Sequence, residues 1–341
     1  MRPTTIDIAN EAKVSLATVD RVLNDRAGVS PTTQARVNDA IKKLGYTRDV
    51  SAANLARKRQ YKFAFVIPDE QSQFLSTLVT EIESAAARGM ADRADIQLTQ
   101  FSANDPHTLV SALKKIQRKQ FDGVAIMAPE TPHVRDAISE LKKHDIAVAA
   151  LVSGQPGSEC DHFIGINNVA AGRTAAVLMG RMLPEKKGKI IVLTNSMQSH
   201  DSVDRRLGFD EVMTERFAHL EVLPTLEGHG DNDRVKQSLR NALKANTAVC
   251  GVYSLSSGNR ALTEYLRSAG PSQELVIIVH ELTTHTRLAL QQESIDAVIT
   301  QNTGHIVRSA LRILRAKSDQ LAIDNAQERI RIEIVLKENL A

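Results

Sequence analysis

The most informative chemistry in the sequence is a group of cationic side chains near the N-terminus. Residues 1–60 contain eleven Lys and Arg against six Asp and Glu, a charge of +5, whereas the remaining residues sum to −2. A basic head on a mildly acidic body favours contact with a polyanion such as DNA. Arg21 is well suited to specific recognition, because a guanidinium can donate two hydrogen bonds to guanine O6 and N7.

The sequence lacks the residue patterns of common enzymes. It contains no GxGxxG after the first predicted strand, no GxxxxGK[ST], no HExxH and no GxSxG. The ten His residues are scattered, and Cys160 and Cys250 lie far apart without a CxxC pair. We therefore predict a protein that is not an enzyme, with two buried thiols, no metal and no cofactor.

Nothing in the sequence indicates export or a membrane span. The N-terminal stretch has neither the apolar run nor the small-residue cleavage site of a signal peptide. No window of about 18 apolar residues occurs. We expect a cytoplasmic protein that makes no membrane contact and associates with the nucleoid when it is bound to DNA.

Three short amphipathic helices are predicted within residues 1–48, which we interpret as one small all-α domain. Their predicted limits are a first helix over 6–12 capped by Thr5, a second over 16–23 capped by Ser15, and a third that follows Ser30 and Pro31 and ends at Gly45. The apolar positions that would form their common core are Ile8, Ala9, Ala12, Val19, Val22, Leu23, Val37, Ala40, Ile41 and Leu44.

The connection between the first two helices is typical of a helix-turn-helix. A short helix, a tight turn at Ala12–Val14 and a second helix capped by Ser15 have the spacing of that motif. The second helix would then lie in the major groove of DNA, with its free amide groups facing a phosphate. A three-helix bundle without nucleic acid has the same spacing, so the spacing leaves both interpretations open.

The identities of the residues favour the first interpretation. They include Thr5, Ile6, Ile8 and Ala9, then Ala12-x-Val14-Ser15-x-Ala17-Thr18-Val19-x-Arg21-Val22-Leu23-Asn24, and finally Val29-Ser30-Pro31-x-Thr33, Val37 and Ile41-x-x-Leu44-Gly45-Tyr46. This ordered pattern closely resembles the DNA-binding headpiece of the lactose-repressor (LacI/GalR) family. The resemblance implies that the bases are contacted by Leu16, Ala17 and Arg21. It implies contacts to the DNA backbone from Thr5, Ser15, Thr18, Asn24, Ser30 and Thr33, which set register rather than sequence preference.

Asp20 departs from that pattern, since most of the family has Ser at this position. A carboxylate here would repel a DNA phosphate unless Arg21 or Lys13 neutralises it. It could instead accept a hydrogen bond from cytosine N4. The departure concerns which operator sequence is bound, not the fold.

Residues 49–60 form a predicted hinge between the headpiece and the body. The run Ala52-x-x-Leu55-Ala56 resembles the family, in which paired hinges fold on DNA and enter the minor groove. The resemblance implies that Leu55 contacts bases as a wedge between base steps. A solvated linker is the alternative, because an isolated helix of this length is marginal.

Residues 61–341 alternate short apolar runs with amphipathic helices such as 78–90, 109–119 and 170–182. The predicted strands lie at 63–68, 96–101, 123–128, 147–152, 162–166, 189–194, 222–226, 249–254, 275–279 and 296–300. Strict alternation predicts parallel sheets covered on both faces, and ten strands suggest two doubly wound α/β subdomains. This architecture resembles the periplasmic sugar-binding proteins, the fold that the family uses as its sensor, with a ligand in the cleft at the strands' carboxyl ends.

The resemblance implies a small-molecule effector site in that cleft. Arg205 lies three residues before Gly208-Phe209, as the family's ligand arginine does. The alternative is that Arg205 forms an ordinary ion pair on the surface. The other implied contacts are Ser72, Phe74, Ser153, Ser254, Glu281 and Gln301. Glu281 replaces the family's usual Asp, and Ser254–Ser257 replaces its common Asn-Asp. The expected effector is therefore stated broadly, as a sugar or a related polyol or sugar acid.

Together these features predict a transcription regulator, acting as a repressor, whose binding to double-stranded operator DNA is controlled by a small molecule. Helices at 77–88 and 110–119 are expected to form a homodimer or part of a tetramer, which suits a pseudo-palindromic operator. A periplasmic solute-binding protein is a second hypothesis, which the N-terminal region argues against. A third hypothesis is an enzyme or a ligand-binding module that does not bind DNA. The missing catalytic motifs argue against the enzyme, and Arg21 with the basic hinge argues against the module.

Overall fold

The computed structural model describes residues 3–23, 26–46, 59–69, 72–89, 93–102, 105–183, 187–269 and 275–340. The chain divides into two compact units, Met1–Arg59 and Gln60–Ala341. Asn24, Leu55 and residues 49–58 of the predicted hinge lie outside the described residues.

The described part of the first unit folds into helices α1 (Thr5–Ala12), α2 (Leu16–Leu23) and α3 (Pro31–Leu44). The N-cap of α1 is Thr4, so the predicted cap at Thr5 was wrong by one residue. Asp7 N donates to Thr4 Oγ1 at 3.3 Å, and Thr4 N donates to Asp7 Oδ2 at 2.7 Å. This reciprocal capping box requires a side-chain acceptor three residues after the cap. Thr4 has Asp7 there, whereas Thr5 has Ile8.

The other predicted helix limits in this unit are confirmed. Thr18 N donates to Ser15 Oγ at 3.2 Å, and Thr33 N donates to Ser30 Oγ at 3.3 Å. Gly45 ends α3 with φ 60°, a left-handed conformation that glycine adopts without strain. The buried core consists of Ile8, Ala9, Ala12, Val19, Val22, Val37 and Ala40, with Leu23, Ile41 and Leu44 partly buried against it.

The second unit alternates strands and helices along the chain. Its strands are β1 (Tyr61–Pro68), β2 (Ala94–Phe101), β3 (Gly123–Ile126), β4 (Ala147–Leu151), β5 (His162–Ile164), β6 (Gly188–Thr194), β7 (Leu220–Glu227), β8 (Val249–Ser254), β9 (Val276–His280), β10 (Ala297–Thr300) and β11 (Glu333–Val335). Its helices are α4 (Gln73–Ala87), α5 (Pro106–Lys114), α6 (Pro132–Lys143), α7 (Asn168–Met182), α8 (His200–Arg216), α9 (Asn232–Ala245), α10 (Asn259–Ala269), α11 (Thr284–Gln291) and α12 (Thr303–Ser318), followed by a 3-10 turn at Lys337–Asn339.

The strands form two sheets, which confirms the predicted division into two α/β subdomains. The first sheet has the order β2-β1-β3-β4-β5 and the second the order β11-β10-β9-β8-β6-β7. Every predicted apolar run overlaps one of the strands β1 to β10, and their pairings are parallel. The sequence interpretation missed β11, a short and mostly exposed strand that pairs antiparallel with β10.

The chain crosses between the two subdomains after β5, after β10 and after α12. Although α12 follows β10 of the second sheet, it packs against β3 and β4 of the first. Tyr61 Oη donates to Asp319 Oδ2 at 2.6 Å just beyond the end of α12. The chain then returns through residues 320–332 to β11 in the second sheet. Three connections of the chain therefore join the two subdomains.

One predicted helix is shorter than expected. Helix α5 ends at Lys114, so residues 115–119 of the helix assigned to dimerisation are not helical. The backbone turns at Lys115, and Ile116 packs into the apolar cluster on one face of the first sheet. Among the described residues, no helix is both long and apolar enough to cross a membrane.

Candidate functional site

Helix α2 presents the predicted base-contacting side chains on its outer face. Val19 and Val22 point into the headpiece core, whereas Leu16, Ala17 and Arg21 are exposed. Leu16 leaves 50% of its surface in solvent, so its apolar side chain is accessible to a partner. An apolar group and a guanidinium side by side can contact a thymine methyl and a guanine edge.

Hydroxyl groups at the helix starts are held in place by one another. Ser15 Oγ lies 2.9 Å from Thr18 Oγ1, and Ser30 Oγ donates to Thr33 Oγ1 at 2.9 Å. Thr5, also predicted to contact the DNA backbone, is the first residue of α1. A hydroxyl beside free amide groups at a helix N-terminus is suited to bind a phosphate. The contacts of these residues with DNA stay predictions.

The charge of Asp20 is met by a residue that the sequence interpretation did not consider. Arg26 Nη1 donates to Asp20 Oδ2 at 3.2 Å, whereas only Arg21 and Lys13 were considered from the sequence as cations that could neutralise this carboxylate. Both partners remain more than half exposed. Such a surface pair contributes about 0–1 kcal/mol to the free energy of unfolding. Because Arg26 pairs with Asp20, Arg21 is available for contacts outside the headpiece.

The second unit contains a cleft lined from both subdomains, with a volume of about 250 Å³. Four of the predicted effector contacts line it, namely Ser72, Phe74, Arg205 and Glu281. Typical pockets for drug-sized ligands measure roughly 300–1,000 Å³. A cleft just below that range suits a molecule of monosaccharide size.

Arg205 is the central buried cation of this cleft. Only 2% of its surface is exposed. Its Nε donates to Asn168 Oδ1 at 2.9 Å and its Nη1 to the Leu255 carbonyl at 2.5 Å, while Nη2 lies 3.4 Å from Glu281 Oε1. Burial and these contacts exclude the surface ion pair that the sequence left open. They fix the plane of the guanidinium before any ligand arrives.

Glu281 is held at the edge of the cleft in an uncommon backbone conformation, with φ 70° directly after β9. Gln301 Nε2 donates to its Oε1 at 3.2 Å. Within the described residues, Glu281 Oε2 and Gln301 Oε1 are buried and have no hydrogen-bond partner. Burial raises the pKa of the Glu281 carboxyl, although Arg205 and Gln301 oppose that shift. Glu281 lines the cleft, so its Oε2 is available to accept a hydrogen bond from a molecule bound there.

Three predicted effector contacts do not line the cleft. Ser153 is buried beside it, while Val152, with φ 61°, faces the cleft instead. Ser254 is fully buried in β8. Gln301 stands behind Glu281 and reaches the cleft only through it.

Sequence reasoning missed several polar residues that do line the cleft. Asn195 directly follows β6, and Ser256 follows β8 by two residues. Asp201 lies in the first turn of α8. All three could have been found from the rule that ligands bind at the carboxyl ends of parallel strands. His280 could not, because it is the last residue of an apolar strand and resembles a core position.

His280 forms the buried floor of the cleft. Its Nε2 lies 2.8 Å from Tyr253 Oη, and its Nδ1 has no partner among the described residues. Burial and the nearby charge of Arg205 lower its pKa well below the usual value, so the ring is neutral at pH 7. Across the opening, His285 N donates to Gln73 Oε1 at 3.2 Å and joins the two subdomains.

The cysteines take no part in either site. Cys250 is buried as predicted, whereas Cys160 is only partly buried. In the part of the chain that the structure describes, no group of three or more His, Cys, Asp or Glu residues is placed to hold a metal ion.

Two families match the two units. Residues 4–49 match the bacterial regulatory proteins of the lacI family, and residues 63–320 match the periplasmic binding protein domain. The family resemblance stated from the sequence is therefore confirmed, as is the fold class of both units.

Curated relatives include catabolite control protein A from two staphylococci. The protein from Staphylococcus xylosus is 30% identical over 247 residues, which cover 70% of this chain and 69% of the relative. That from Staphylococcus epidermidis is 33% identical over 171 residues, 49% of this chain and 48% of the relative. The chain thus spans about half to two-thirds of the curated relatives that it matches.

Solved structures share the fold of the second unit. A putative LacI transcriptional regulator from Bacteroides fragilis has a TM-score of 0.71 at 18% identity, covering 82% of this chain and 98% of that one. A solute-binding protein from Burkholderia graminis in complex with D-arabinose has a TM-score of 0.73 at 20% identity, with coverages of 83% and 97%. At these identities the likeness concerns the fold alone.

Proposed function

The chain belongs to the LacI family of bacterial regulatory proteins, and we propose that it is a repressor whose operator affinity is set by a small hydroxyl-rich effector. The family consists of DNA-binding transcription regulators, not of enzymes. The observation that carries the proposal is the pairing of an exposed recognition helix in one unit with a preorganised polar cleft in the other. Operator DNA lies in the bacterial cytoplasm, so the protein would act there.

The DNA half of the proposal rests on α2. Arg21 would donate to guanine O6 and N7, while Leu16 and Ala17 would contact thymine methyls or pyrimidine edges. Ser15, Thr18, Ser30 and Thr33 would bind phosphates and set the register. Two headpieces, from a homodimer or from one half of a tetramer, would occupy the halves of a near-palindromic operator.

The effector half rests on the surplus of acceptors around Arg205. Glu281 Oε2 and Asn259 Oδ1 are buried without donors among the described residues, and both residues line the cleft. The hydroxyls of a sugar or polyol would satisfy them, and each acceptor left unmatched costs about 1–3 kcal/mol. The carboxylate of a sugar acid would need to reach Arg205 or Arg260 and would stand close to Asp201. This arrangement favours a neutral sugar or polyol over the acid.

Control of DNA binding would come from closure of the cleft. A ligand that contacts both subdomains stabilises the closed arrangement, and the headpiece is joined in sequence to one of those subdomains. Unequal binding of effector and DNA to two arrangements typically gives a coupling of about 1–3 kcal/mol, or roughly 5–150-fold in affinity.

Two assays test the proposal. A mobility-shift selection with genomic fragments at several salt concentrations should yield a specific duplex, and failure to obtain one at any salt would contradict the DNA half. A thermal-shift panel of neutral sugars, polyols and sugar acids should raise the unfolding temperature of the second unit with a neutral member, because a ligand stabilises the state that binds it. A response confined to the acids would contradict the argument from acceptors.

A further inference from the structure

A second groove lies on the side of the molecule formed by two of the subdomain crossovers. It has a volume of about 1120 Å³, more than four times that of the effector cleft. One wall is the crossover Gly165–Asn167 with the start of α7, and another is the extended segment Glu328–Ile332. The open edge of β5 and the first turn of α8, with His200, complete the lining.

Two arginines give this groove its charge. In the extended segment, Glu328 and Ile330 are buried, while Arg329 and Arg331 alternate with them and are exposed. Both arginines line the groove. Among the residues that the structure describes, neither has a hydrogen-bond or ion-pair partner. Two uncompensated guanidinium groups that face one groove are suited to bind an anion.

One of the two acidic residues of the groove is already paired within the protein. Both carboxylate oxygens of Glu328 accept from Arg312, each at 2.7 Å. Asp204 lies 3.8 Å from His200 Nε2. Because Glu328 is paired with Arg312, Arg329 and Arg331 outnumber the one remaining carboxylate, that of Asp204, and the net charge of the groove stays positive.

Neutral polar groups in the groove define the rest of the ligand. Gln155 is buried, and its Nε2 donates a hydrogen bond to the Ala128 carbonyl oxygen. Its Oε1 accepts no hydrogen bond from the described residues. Burial and the charge of Lys317 lower the pKa of His162, so this ring is neutral at pH 7 and can exchange hydrogen bonds with hydroxyl groups.

We propose that this groove is a second ligand site, separate from the effector cleft, which takes a small anionic metabolite bearing phosphate or carboxylate groups and at least one hydroxyl. The anion binds Arg329 and Arg331, and the hydroxyl donates to Gln155. Because the ligand touches two crossovers, it biases the angle between the subdomains. Asn168 connects the sites directly, since it lines the groove and accepts from Arg205 Nε at 2.9 Å.

Calorimetric titration of the full chain tests the site. Glycerol 3-phosphate and citrate serve as phosphate and carboxylate probes, with glycerol and KCl at matched ionic strength as blanks. The double variant R329A/R331A should weaken binding of the preferred probe by about tenfold or more, because both guanidinium groups that donate charge-assisted hydrogen bonds to the anion are lost. A matched double variant of exposed arginines on α9 and α10, R240A/R267A, should bind as the wild type does.

A third variant, Arg260→Ala, removes an exposed cation of the effector cleft and should leave probe binding unchanged. Three results would overturn the proposal. The wild type could show no heat beyond the KCl blank with either probe. The two double variants could lose affinity equally, which would indicate general charge attraction. R329A/R331A could retain wild-type affinity while Arg260→Ala or the basic headpiece accounts for the binding.

Discussion

The headpiece and the body place their recognition chemistry in opposite environments. In the headpiece, Leu16, Ala17 and Arg21 stand in solvent on a helix whose other face forms the core. In the body, Arg205 is buried, Glu281 is largely buried, and both are bonded to side chains from distant parts of the chain. Recognition and stability are therefore separable in the headpiece and coupled in the body.

The headpiece and the body also differ in how much of their structure could be predicted from the sequence. Helix limits and exposed positions in the headpiece follow from caps and apolar spacing, which are local properties, so the only wrong limit was the cap placed at Thr5 instead of Thr4. In the body, alternation predicted the strands and the two subdomains. Alternation could not predict which residue after each strand faces the cleft.

The turns after the strands explain those misses. Val152 has φ 61°, and the left-handed conformation turns this residue, rather than Ser153, toward the cleft. Positive φ is rare for a β-branched residue, so no propensity argument would have indicated it. Glu281 has φ 70° and does face the cleft, whereas Gln301 stands behind it. Side-chain direction at these turns depends on tertiary packing.

Arg205→Ala should give the largest effect and test the coupling in the body. It leaves the Glu281 carboxylate buried without its cation, which typically costs about 3–5 kcal/mol of unfolding free energy. Urea unfolding measures this loss, and the effector response should disappear with it. The control is Arg173→Ala, which breaks an exposed Arg173–Glu211 pair and should cost about 0–1 kcal/mol. Equal losses of unfolding free energy in the two variants would contradict the coupling of recognition to stability in the body.

Gly208→Ala should also destabilise the body, through the packing that positions Arg205. A Cβ at Gly208 would lie 2.0 Å from the Val169 carbonyl oxygen, so α7 and α8 would have to separate. Overpacking of this kind costs about 1–3 kcal/mol, more than the roughly 1 kcal/mol that Ala gains in helix propensity. Thermal unfolding measures the change. Gly154→Ala, whose Cβ would meet nothing closer than 3.8 Å, is the control, and an equal shift for both would refute the packing argument.

Arg21→Ala should separate recognition from stability in the headpiece. Loss of a bidentate contact to guanine costs about 1–3 kcal/mol in operator affinity, whereas an exposed side chain contributes little to folding. Fluorescence anisotropy with the selected operator and with a scrambled duplex measures the specific loss. Lys42→Ala removes the same charge from α3 and should lower both affinities alike. A lower stability of the headpiece in Arg21→Ala would contradict the conclusion that recognition and stability are separable there.

Asp20→Ser should give the smallest effect. Removing a carboxylate near the DNA backbone should strengthen operator binding by less than about 1 kcal/mol, because the Arg26 pair already offsets part of the charge. Asp39→Ser, an exposed acidic residue on α3, controls for net charge in the same anisotropy assay. Weaker binding for Asp20→Ser would instead support a contact between Asp20 and a cytosine N4 amine.

Control of DNA binding by the cleft is measured by titrating the selected operator duplex with the full chain, with and without a saturating neutral ligand from the thermal-shift panel. We expect the ligand to change operator affinity by roughly 5–150-fold, while affinity for a scrambled duplex stays constant. An operator affinity that the bound ligand leaves unchanged would contradict the claim that the buried cleft controls the exposed helix.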